Sequence, residues 1–274
     1  MTSSEQLEAY DRLVDAVIKR SERGVAMLFN ELDFNDIPLA RDEIKAFLVD
    51  MADTYGSALA EGAVDWYQSV RPEDLRPYDP EIIKVLDVPE RMDRTSRYAV
   101  DLLQRDPAGA VKVVARALGR EIQAPARRTL LKAADLDPST PRFARVPRGK
   151  TCAFCTLLAS RGWVYHSEDL AGGAGHEFHE RCDCRIVPDW EHKSLSGYDP
   201  DKMYSMYLKA RRRAVKSGAK HPDPGIIAAY MRSEYPDSFT DGLGVPRSKK
   251  GVRSSELGGL IKRLEKENSN AQED

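Results

Sequence analysis

The sequence is sparing with cysteine and has no long apolar run, and each shortage excludes a class of protein. Only four cysteines occur in 274 residues, all of them between Cys152 and Cys184. A fold stapled throughout by disulfides is excluded, and a single local thiol site becomes the feature to explain. No stretch approaches the roughly 18 to 20 consecutive apolar residues of a membrane span, so no membrane association is expected. The opening MTSSEQLEAYDRLVD is polar and acidic rather than basic and then apolar. We therefore expect no secretory signal and folding in a reducing cytoplasm. There is no Walker motif, and the glycines at 172, 173 and 175 do not separate a strand from a helix as a dinucleotide fingerprint would. No repeat of 20 to 50 residues is visible.

What is present is ordinary for a globular chain: 41% hydrophobic and 31% charged residues, with length for one large or two smaller domains. The net charge of −2 hides an uneven distribution, because residues 1–90 carry a net −11 and residues 91–150 a net +8. Most of this reads as solvated helix faces. The basic segments 91–150 and 201–216, the latter with Lys209, Arg211, Arg212, Arg213 and Lys216, are the candidates for contact with DNA or an acidic partner.

Apolar residues recur at the helical period over most of the chain. Leu7, Tyr10, Val14, Val17, Val25 and Leu28 form one stripe. Ile44, Phe47, Leu48, Met51, Tyr55, Leu59, Ala63, Trp66 and Val70 form a second, which stops at Arg71-Pro72. A third helix is expected over about 91–105, a fourth from Asp106-Pro107, and another after Pro125. Between 137 and 198 prolines and glycines interrupt the period, and 163–165 and 185–187 read as brief strands. Asp199-Pro200 and Asp223-Pro224 then open two further helices. The expected class is mainly α with some β (α+β). Its divisions are a helical region at 1–136, a small irregular module at 137–198 that needs more than a core to hold it, a helical hairpin at 199–236, and a linker with a short amphipathic helix at 237–274 (Leu257, Leu260, Ile261, Leu264).

The irregular module carries the chemistry. Cys152-x-x-Cys155 has the spacing at which two thiolates from one tight turn reach one metal, and His179-x-x-Cys182-x-Cys184 offers a second group of donors. These are five candidate ligands for a tetrahedral site that takes four, and such a thiolate-rich set favours structural zinc. A redox CxxC wants a βαβ unit that the pattern lacks. His176-Glu177-Phe178-His179 falls one residue short of the zinc protease HExxH spacing. A cysteine nucleophile with His166, His179 or His192 as base rests on composition alone. The leading reading is therefore not an enzyme. The alternative is a zinc-dependent nucleic-acid-binding or nucleic-acid-processing protein with an open metal position.

The run Arg145-Val146-Pro147, Thr151-Cys152-Ala153-Phe154-Cys155, Leu158-Ala159-Ser160-Arg161-Gly162, Val164-Tyr165, Phe178-His179, Cys182-Asp183-Cys184 and Val187-Pro188 resembles the heart of MuF-like minor capsid proteins. These are head-morphogenesis proteins of tailed bacteriophages, and this version is similar to those of actinobacteriophages. The resemblance covers about residues 140–192. It implies a structural virion component at the capsid interior or portal vertex, assembled in the host cytoplasm as part of an oligomeric assembly, with portal or major capsid protein as partner. On that reading Trp163, Tyr165, Phe178 or Trp190 would face the partner, and the basic segments would face packaged DNA.

Overall fold

In a computed structural model of the chain, the Asp-Pro pairs at 106–107, 199–200 and 223–224 each open a helix. The Asp106, Asp199 and Asp223 carboxylates accept the backbone N–H of Gly109, Lys202 and Ile226 at 2.9 Å, and proline follows where no helical N–H is needed. The structure describes residues 3–103, 105–165, 184–190 and 195–241. It is mainly helical, with seven α-helices and one two-stranded sheet among these residues, and it divides at Arg142 into two compact units.

The first unit consists of α1 (Ser3–Glu31), α2 (Ile37–Val70), α3 (Val88–Leu103) and α4 (Pro107–Leu136). The long helices α2 and α4 pack along each other, and both α1 and α3 lie against this pair. The stripes read from the sequence supply the core: Leu7 and Val25 from α1, Ile44, Leu48, Leu59 and Trp66 from α2. They meet Met92 of α3 and Leu118, Ile122 and Leu131 of α4. Each such side chain contributes about 1.5–3 kcal/mol on burial. Tyr10 stacks on Trp66 with ring centroids 5.1 Å apart, joining α1 to α2.

One expected break does not occur. Pro125 was expected to start a new helix, yet α4 runs unbroken through it. An interior proline costs about 3 kcal/mol in a helix, and tertiary packing overrides that cost here. The pyrrolidine ring seats against Gly56 of α2, where a Cβ would lie 3.2 Å from Pro125 Cγ. A glycine on one helix thus makes room for a proline on its neighbour.

Two buried ion pairs fix the unit's ends. Arg71, the C-cap of α2, donates Nε to Asp137 Oδ2 at 2.7 Å and Nη2 to Oδ1 at 3.0 Å, while Asp137 is the C-cap of α4. Glu121 of α4, also buried, accepts from Arg91 of α3 and from Arg120. These pairs withdraw Arg91 and Arg120 from the basic surface expected over 91–150. Arg127 and Arg145 are buried as well. Arg94, Arg97, Lys112 and Arg116 remain exposed.

The second unit pairs β1 (Arg142–Val146) with β2 (Arg185–Asp189). β1 was not expected. Of the expected strand at 163–165, only Tyr165 pairs, as a single antiparallel bridge to Phe143. Around the thiol turn the chain forms a seven-residue helix, α5 (Ala153–Ala159), which packs against α6 (Pro200–Lys216) and α7 (Pro224–Glu234). Ala153, Leu157 and Leu158 share one core with Ala210, Ala214, Ile227, Met231 and Phe239. The CxxC helix therefore has hydrophobic support within the module that was expected to need more than a core to hold it. Residues 236–241, expected to open a linker, form a short 3-10 turn followed by buried Phe239 and two anchoring residues. The expected helix around Leu257–Leu264 lies outside the described residues.

Candidate functional site

The site is built on the N-terminal turn of α5. Cys152 is the N-cap, with extended backbone, and its sulfur accepts the backbone N–H of Cys155 at 3.3 Å. A donor aimed at sulfur suits a thiolate or a metal-bound sulfur. Cys152 is half-buried and Cys155 fully buried. The turn is held from a distant part of the chain. Asp241 Oδ1 accepts the Ala153 N–H at 3.0 Å, and its Oδ2 accepts Arg232 Nε at 2.7 Å. Thr240 donates its N–H to the Thr151 carbonyl at 2.9 Å. Nothing in the sequence marked Asp241, Thr240 or Arg232, because their role comes from a contact across 88 residues.

The other end of α5 is capped by tyrosine hydroxyls. Tyr165 donates to the Leu158 carbonyl at 2.7 Å and Tyr198 to the Ala159 carbonyl at 2.6 Å, satisfying acceptors that a helix C-terminus leaves open. Burial pushes both phenols up, so they stay protonated and able to donate. Tyr165 is thus a core residue, stacked on Phe143 at 5.6 Å, and is not available to a partner. Trp163 is half-buried, edge-on to Tyr198, and Trp190 is half-buried.

β-pairing brings the second thiol segment to the first. Cys184, buried, immediately precedes β2. The next residue, Arg185, donates Nη2 to the Pro147 carbonyl at 3.1 Å, just after β1 and upstream of Cys152. Cys152 and Cys155 thus lie on one helical turn, and Cys184 lies just before the strand that pairs with β1, the strand leading toward that turn. Among the described residues, no three His, Cys, Asp or Glu side chains converge as a metal-holding group. Completing a tetrahedral set calls on His179 or Cys182, and both lie outside the described residues, as do His166, His176, Glu177, Phe178 and His192. His221 is an exposed loop residue before Pro222. On α6, Arg213 and Lys209 both bind Glu234 of α7, whereas Arg211, Arg212 and Lys216 are exposed.

Similar proteins occur in mycobacteriophages. The chain is 27% identical over 171 residues to the Gene 15 protein of Mycobacterium phage D29, covering 48% of this chain and 62% of that one. It is 29% identical over 132 residues to the Gene 15 protein of Mycobacterium phage L5, covering 34% and 45%. The chain thus spans less than two thirds of the length of these curated relatives. No solved structure matches it. These relatives mark the chain as a bacteriophage-type protein. The chain belongs to the VG15 protein family, whose model matches residues 1–210, from α1 into α6.

Proposed function

We propose that this protein is a minor capsid, head-morphogenesis protein of the MuF-like kind, built into the virion at the capsid interior or portal vertex, with portal or major capsid protein as its partner. The observation that carries the reading is the fixed thiol turn, clamped at both ends of α5 and joined by β1–β2 pairing to the segment ending in Cys184. So much structure around a seven-residue helix suits a scaffold. The phage relatives and the motif run at 145–188 support the same direction.

In this reading Cys152 and Cys155 hold a structural zinc together with two of His179, Cys182 and Cys184, and the ion, when bound, cross-links the two segments without exchanging ligands. The exposed basic residues of α3, α4 and α6 contact packaged DNA through phosphates, without sequence preference. Mass spectrometry of purified particles from the phage that encodes this chain tests the main claim. The protein is expected in the mature virion or in its head precursor, and its absence from both would refute the assignment. Elemental analysis of the purified full chain is expected to find one zinc per molecule, whereas an open, catalytic site would show a hydrolytic activity that chelation removes.

A further inference from the structure

The first unit carries a feature that neither the zinc nor the DNA reading uses. A groove of roughly 880 Å³ lies between α2 and the segment at 82–89. One wall follows α2 from Asp42 to Ser57, a rise of about 22 Å at 1.5 Å per residue. That is longer than a small metabolite needs and fits about four turns of helix. Ala46, Val49, Val85 and Pro125 give it apolar lining.

The opposite wall has no regular secondary structure over 82–87, and exposure alternates along it. Ile83 and Val85 are half-buried, with the Ile83 N–H bonded to Thr129 Oγ1 of α4 at 3.0 Å. Ile82 and Leu86 point outward, 38% and 87% exposed. Two large apolar side chains beside an open groove are unfavourable in water and suit a seat for an apolar ridge. The open charge along the α2 wall is acidic: Asp50 and Asp53 line it, while Asp42 is paired with Arg41 at 2.8 Å and Lys45 with Asp93 at 3.3 Å, and Lys84 stands on the opposite wall.

From length, apolar floor and acidic wall together, we infer that this groove seats a basic amphipathic helix of another protein chain. The apolar face of that helix would enter between Val49 and Leu86, and its lysines or arginines would lie along Asp50 and Asp53. This is the helix-in-groove mode of recognition.

The test uses the full chain and a labelled leucine–lysine amphipathic peptide of about 18 residues, some five turns. Fluorescence anisotropy should show saturable binding, weakened at least about tenfold when the lysines become glutamates or the order is scrambled. Leu86→Asp separates seating from simple charge attraction. It adds negative charge, so non-specific attraction would rise, whereas seating should fall by about tenfold or more. Asp50→Lys with Asp53→Lys should weaken binding similarly. Both variants change exposed residues, and unaltered circular dichroism melting confirms that they fold. Equal binding of the glutamate peptide, or binding undiminished by Leu86→Asp, overturns the inference. So does self-association of the free chain that Leu86→Asp abolishes, since the occupant would then be a second copy.

Discussion

Asp137 and Arg71 cap the C-terminal ends of α4 and α2 and meet in a two-pronged, buried ion pair, to which Tyr67 adds a hydrogen bond at 3.0 Å and Ser139 two more. Burial alone would raise the Asp137 pKa, but hydrogen bonds from Arg71, Ser139 and Tyr67 outweigh it and hold the carboxyl at about 2, against an ordinary 3.8. Tyr67, buried next to that carboxylate, is pushed up and stays a donor.

A carboxyl with a lowered pKa in the fold stabilises it fully above the ordinary value and loses that contribution as pH falls from 3.8 toward about 2. Urea unfolding across this window should show falling stability in the wild type, and Asp137→Asn should flatten that component of the slope. Arg71→Met, which strands the buried carboxylate, is expected to cost about 3–5 kcal/mol at neutral pH.

The contact between Gly56 and Pro125 predicts size sensitivity at a position that looks featureless. Gly56→Leu should destabilise by about 1–3 kcal/mol through overpacking. Gly56→Ala combined with Pro125→Ala should be more stable than the sum of the single changes, because removing the ring clears the space the methyl needs. A double-mutant cycle in urea reads the coupling, and strict additivity would contradict the packing argument.

Asp241 holds the thiol turn by accepting the Ala153 N–H and Arg232 together. Asp241→Ala should cost about 1–3 kcal/mol and speed alkylation of Cys152 by iodoacetamide under conditions where the rest of the fold persists. An unchanged alkylation rate would mean that the clamp does not control the turn.

Arg212 and Arg213 are neighbours with different surroundings, and substitution should separate them. Arg211→Ala with Arg212→Ala should leave the melting temperature nearly unchanged and reduce the salt dependence of duplex DNA binding by about two phosphate contacts. Arg213→Ala removes a partner of the mostly buried Glu234 and should lower stability by about 1 kcal/mol. An unaltered salt slope in the first variant would remove α6 from any DNA surface.

Local chemistry was legible in the sequence and long-range chemistry was not. The Asp-Pro helix starts, the apolar stripes of α1 and α2, and the stop before Pro236 all depend on residues within a few positions of each other. The continuation of α4 through Pro125 depends on Gly56, far away on another helix, and no local rule reports such a neighbour. β1 was missed because its five residues lie among prolines and arginines and become a strand by pairing with β2. Of the candidate ligands, the CxxC turn could be read directly from its spacing. The residues that hold it, Asp241, Thr240, Tyr165 and Tyr198, could not, since each acts through a hydrogen bond to a main-chain group that no spacing motif marks, seven residues away for Tyr165 and 39 or more for the others.

The dependence of α5 on those remote residues has a consequence for synthesis. A seven-residue helix is too short to persist alone in water, and its first N–H is held by Asp241, made 88 residues later. During translation the clamp on the thiol turn therefore closes only after α7 and Asp241 have left the ribosome. Until then Cys152 and Cys155 lack that hold, and the site is among the last of the described parts of the chain to be completed.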